Sequence, residues 1–124
     1  MPGLPKVVPA YAISGSQWSE GYTFYNDDDT LMDLTTKTFG FVIRPTVADV
    51  TEPAQISVTS TGATSQGYIT VTLATATVLV VLSDTATALL GQSNRPYALW
   101  MDPGGSDQTA VVVGLMNSRQ VAAA

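Results

Sequence analysis

The sequence holds no cysteine and no histidine in its 124 residues. Without cysteine there is no disulfide, no thiolate metal site and no thiol nucleophile, and the redox compartment leaves no mark. Without histidine, the usual general base and commonest metal ligand is missing, along with the only side chain that titrates unperturbed near neutrality. Charge is sparse as well: five Lys and Arg stand against ten Asp and Glu, a formal net charge of −5. The cations Lys6, Lys37, Arg44, Arg95 and Arg119 are scattered singly. No basic stripe is available to neutralise phosphates, so nucleic acid binding is not expected. The longest apolar run, residues 78–82, is a strand's length, far short of the roughly 18 residues that cross a membrane as a helix. The N-terminus has neither the charged nor the apolar region of a signal peptide. The expectation is a chain that neither spans a membrane nor leaves by a standard export route.

What is present is β-forming. Thr, with seventeen copies, is the commonest residue, and Thr with Val suits pleated, half-buried surfaces. The stretch 33–44 is the most informative. A turn-like Asp33-Leu34-Thr35-Thr36 precedes an alternation that puts Phe39, Phe41 and Ile43 on one side and Gly40, Val42 and Arg44 on the other. A period of two in aromatic and β-branched types marks a half-buried strand, and these three residues seed the core.

The other elements read as coverings of that strand. Residues 1–16 carry Pro2, Pro5 and Pro9 with Gly3 and Gly15, a density that blocks helix and weakens ladder pairing. They predict an extended arm, to which Val7, Val8, Tyr11 and Ile13 add apolar anchors. Strands are predicted at 18–25, 38–44, 55–59, 68–73, 77–82, 97–102 and 110–116. In the first, Trp18, Glu20, Tyr22 and Phe24 share a face, and Glu20 puts that strand near an edge. Strand 77–82 is apolar on both faces and should be central. At 83–91, Ser83 or Asp84 can cap one or two helical turns that Gly91 ends. Residues 94–96 read as a loop, and 103–107 as a tight hairpin. One domain of 18–124 behind an arm of 1–17 follows. Its class is all-β: an antiparallel, immunoglobulin-like sandwich of about seven strands with one short connecting helix.

Reaction chemistry is hard to find. Asp27, Asp28 and Asp29 with Asp33 form the only dense charge; a solvated turn is the plainer reading and a calcium site the sharper one. The spacing lacks the Gly and Glu of the EF-hand loop. Asp102 and Glu20 are the best pair of carboxylates for glycoside hydrolysis, but nothing in the sequence brings them together. Ser and Thr have no histidine to activate them, and Gly104-Gly105 is followed by Ser-Asp rather than a phosphate-binding Lys. Trp18, Tyr22, Tyr25, Tyr68, Tyr97 and Trp100 could stack on sugar faces or fill the core. Arg44 could bridge to an acidic partner or lie along the surface. No catalytic, metal or cofactor residue is assigned.

The order of motifs carries a resemblance. Trp18 and Tyr22-Thr23-Phe24, then the run from Asp33 to Pro45, Tyr68-Ile69-Thr70-Val71, the run from Ala76 to Leu82, Thr87-Ala88-Leu89-Leu90-Gly91 and Tyr97-Ala98-Leu99-Trp100-Met101-Asp102-Pro103-Gly104 resemble β-sandwich modules of tailed-phage virion proteins. Minor tail, baseplate upper and tail-fibre proteins of actinobacteriophages carry such modules. The likeness covers roughly 18–115; Thr36 stands where the family's turn often has Gly. It implies a non-enzymatic virion structural protein with no catalytic or cofactor residues, docking on the tail, baseplate or fibre as a minor tail protein assembled in the host cytoplasm. Because fibre and baseplate versions usually continue beyond such a module, a chain ending at Ala124 also suits capsid decoration. A carbohydrate-binding host-adhesion module is the third reading. The expected partners are other virion proteins and copies of the chain itself, with host glycan for the third reading. The expected contacts are the arm residues Val7, Val8, Tyr11 and Ile13 together with Trp18.

Overall fold

A computed structural model describes residues 5–122. All seven expected strands are there, arranged in two sheets, and the arm supplies two more. The elements are β1 (Lys6–Val7), β2 (Ala10–Ile13), β3 (Trp18–Thr23), β4 (Phe39–Ile43), β5 (Ile56–Thr59), β6 (Gly67–Thr72), β7 (Thr77–Leu82), a short helix α1 (Asp84–Ala88), β8 (Ser93–Met101) and β9 (Thr109–Arg119), with a 3₁₀ turn at Leu73–Thr75. One sheet has the order β1-β9-β8-β4-β5, with β2 also on β9; the other is β3-β7-β6. Set face to face, these are the B-E-D and C′-C-F-G sheets of an immunoglobulin-like sandwich.

The seed strand holds the centre. Phe39, Phe41 and Ile43 are fully buried, and so are Ile56, Val58, Leu99 and Met116. Trp18 stacks on Phe41 with ring centroids 5.7 Å apart, and the Tyr97 ring lies 5.2 Å from that of Phe41. Because β3 belongs to one sheet and β4 and β8 to the other, these rings tie the two layers together. As its two apolar faces required, β7 is the middle strand of its sheet. Glu20 sits on β3, an edge strand, where its carboxylate reaches water. The helix begins where expected: the Ser83 hydroxyl accepts from the Ala86 amide, and Gly91 takes a left-handed φ of 56°. It carries the chain from the smaller sheet to the larger.

Two expectations need correcting. The segment 94–96 is strand, not loop. Pro96 lies beyond the last β4 pair, Ile43 opposite Tyr97, so its missing N–H leaves the ladder intact, and its carbonyl accepts from Arg44. The arm is not a free extension either, although residues 1–4 of the expected arm lie outside those described. β1 and β2 pair parallel to β9, with Lys6 opposite Val112 and Ala10 opposite Met116. The register is therefore continuous across Val8 and Pro9. Ala10 and Ala12 face the core at 6% exposure each; their small size lets the arm lie close over it.

A latch holds the arm in place. The Val8 amide donates to the Val113 carbonyl at 2.9 Å, and the Tyr97 hydroxyl donates to the Val8 carbonyl. Both contacts require Gly114 between them. A Cβ on Gly114 would fall 2.1 Å from the Val8 oxygen and 3.1 Å from the Tyr97 ring. Farther along, the buried Thr87 hydroxyl accepts from the Gly15 amide and donates to the Ser16 carbonyl, which fixes the turn into β3.

Candidate functional site

Antiparallel sheets ordinarily carry one apolar and one polar face. The smaller sheet nearly does: its outer face bears Ser19, Thr23, Thr70, Thr72 and Thr77, relieved by Tyr68, Leu79 and Val81. The larger sheet does not. With Phe39, Phe41, Tyr97, Leu99, Val112 and Met116 turned inward, the alternate residues form its outer face. One row across it runs Val7, Val113, Ala98, Val42; the next runs Pro9, Leu115, Pro96, Arg44. Trp100 lies in the row on the other side, beside Gly40. The centre of the outer face is thus apolar too, with Ser57 and Thr59 of β5 on one flank and Asn94, Asn117 and Arg119 at one end.

Two loops turn that face into a groove of about 760 Å³. The hairpin after β8 folds over one end. Gly40 makes the room, since a Cβ there would meet Pro103 at 3.2 Å. The loop of residues 44–55, between β4 and β5, walls the other side and carries Val47 and Val50, 87% and 82% exposed. Arg44 anchors this loop, donating to the Thr51 carbonyl at 2.7 Å and pairing with Glu52 at 3.0 Å. So Arg44 bridges to an acid of its own chain. Asp49 accepts from the Thr51 amide, which holds its carboxyl below the usual range.

The expected contact residues divide by strand parity. Val7, Tyr11 and Ile13 are exposed on the outer face, at 74%, 71% and 47%, and extend the apolar rows past β9. Val8 points inward, packing on the core, and contributes through its backbone. Trp18, expected as a contact, is 7% exposed and stacked on Phe41; it is a core residue. Pro9 sits on the sheet edge with no N–H to offer, which interrupts main-chain pairing by an incoming strand. The arm therefore presents side chains more than a template edge. The opposite edge is covered: the Gln66 side chain donates to the Gln55 carbonyl and accepts from the Ser57 amide of β5.

The remaining candidates resolve into local structure. Asp28 and Asp33 each accept from the amide and hydroxyl two residues on, Thr30 and Thr35, and these bonds lower both carboxyl pKa values. Among the described residues no group of three or more acids is placed to hold a metal ion. Asp102 accepts from the Thr38 amide at 3.0 Å and pairs with Lys37 at 3.4 Å. Two rings of the sugar platform, Trp18 and Tyr97, are buried; Tyr22 and Trp100 are half-buried, Trp100 in the groove, and Tyr25 and Tyr68 are exposed. The sequence does not show the outer-face rows, because Pro96 reads as a loop and the rows depend on strand pairing. Gly114, isolated inside a strand pattern, was the available signal for a close backbone approach.

No protein-family model matches the chain, and no curated protein matches it. Among solved structures, a chain from photo-crosslinking analyses of multimeric cell-adhesive interactions of VGSC beta subunits is 14% identical. The match covers 98% of this chain and 97% of that one, with a TM-score of 0.47.

Proposed function

We propose that this chain is a non-enzymatic docking module, an accessory sandwich at the tail, baseplate or fibre of a tailed-phage virion, which meets its partner through the outer face of its six-stranded sheet. The observation that carries the docking is the second apolar face. Isolated exposed apolar residues are ordinary, but contiguous apolar surface of this kind marks interaction sites. The virion setting rests on the ordered motifs from Trp18 to Leu115 and their likeness to phage modules. Catalysis has little to draw on in a chain with neither cysteine nor histidine.

Burial of Val42, Ala98, Val113 and Leu115 under a partner supplies the affinity, and the arm residues Val7, Tyr11 and Ile13 widen the footprint. Weak single contacts suffice where symmetric copies act together. The test is particle composition. Leu115 is 49% exposed, so Leu115→Asp leaves the fold intact while putting a charge in the middle of the face. Particles carrying the wild-type chain should contain it in a few to tens of copies, and particles made with Leu115→Asp should lack it. Full incorporation of the variant contradicts docking through this face; hundreds of copies would move the site to the capsid.

A further inference from the structure

We infer that the occupant of the outer face is a second copy of this chain, packed sheet to sheet about a two-fold axis that runs along the strands. The inference rests on the docking reading above and names its partner. β4 and β9 run the same way, each antiparallel to β8, so the loop after β4 and the end of β9 lie at one end of the sheet, on opposite flanks. One flank carries Ile13 and Arg119, opposite each other in the register. The other carries Val47, Asp49 and Glu52 on the groove wall. A two-fold axis along the strands keeps the ends together and exchanges the flanks. Arg119 of each copy then meets the acidic wall of the other, and the exposed Val47 meets Ile13.

Three further observations favour a copy over an unrelated surface. Among the described residues Arg119 belongs to no ion pair, while the Glu52 side chain stays 79% exposed although it pairs with Arg44. The outward residues of the central strand β8, Asn94, Pro96, Ala98 and Trp100, carry no charge, so a chain of net charge −5 can stack on itself without like charges meeting at the centre. A twisted sheet with an apolar face is best covered by a sheet of the same twist, and a standard interface takes about 800 Å² from each partner, roughly one ninth of the 7186 Å² of this chain.

Cysteine scanning tests the geometry cleanly, because the chain has no cysteine of its own. Val47→Cys and Ile13→Cys are both at exposed positions. Under mild oxidation the mixed variants should give a disulfide-linked heterodimer, and each variant alone should stay uncrosslinked. In sedimentation the 13.0 kDa chain should run as a dimer that Leu115→Asp converts to monomer. Dimers that crosslink through Ile13→Cys alone overturn the axis. A wild-type monomer overturns the second copy; if Leu115→Asp is then still lost from particles, the docking reading stands with another partner. If it is retained, both fall.

Discussion

Two tyrosines face the same core with opposite outcomes. The Tyr97 hydroxyl finds the Val8 carbonyl, whereas the Tyr22 hydroxyl, buried beside that of Tyr97, meets no partner in good hydrogen-bond geometry among the described residues. An unpaired buried hydroxyl costs about 1–3 kcal/mol. Tyr22→Phe should therefore stabilise the protein, raising the thermal midpoint by a few degrees; a lower midpoint would mean the hydroxyl has a partner in solution. Tyr97→Phe removes one good bond and should lose about 1 kcal/mol in denaturant unfolding. Gly114→Ala should lose more, because its methyl would collide with the Val8 carbonyl and displace the arm. Equal losses from the two variants would show that Gly114 is not the seat of the latch.

Among the elements, the arm and the β5 edge show how this fold manages exposed ladders. Gln66 stands in for a missing strand by pairing both ways with β5. Gln66→Ala should uncover that edge, reducing stability by about 1–2 kcal/mol and promoting concentration-dependent aggregation by edge pairing; light scattering identical to wild type would exclude a protective role. The seven strands and the helix were legible in the sequence because alternation and capping are local signals, as Phe39–Ile43 and Ser83 show. The arm's destination was not legible. Proline density argued against pairing, yet parallel pairing to β9 tolerates Pro9, whose missing N–H faces away from it. Trp18 was assigned outward with the arm, although its alternation with Tyr22 and Phe24 already set it on the core side.

For the whole molecule, the missing histidine and cysteine have a direct consequence. Asp28, Asp33 and Asp49 have folded pKa values below their ordinary ones; their contribution is present above the unfolded carboxyl range near 4 and lost as pH falls through the folded values. Tyr22 and Tyr97 are shifted up, chiefly by burial. The unfolded chain ionises them first, so their stabilisation is full below about pH 10 and lost as pH rises beyond it. Stability should be level from roughly pH 5 to pH 9, and Tyr22→Phe should blunt the alkaline loss. A transition inside that window, followed by circular dichroism, would contradict this assignment of titrating groups.

The outer face belongs to the same scale, since it exists only once six strands from across the chain are assembled. Its members span Val7 to Leu115, which is why periodicity within any one strand could not reveal it. The most direct measurement is an image of the chain in its assembled particle, at a resolution that orients the sandwich. The account predicts that the face bearing Val42, Ala98 and Leu115 lies against protein, with the Thr-rich face of the smaller sheet toward solvent. A particle in which the six-stranded sheet faces open water, or from which the chain is absent, would contradict it.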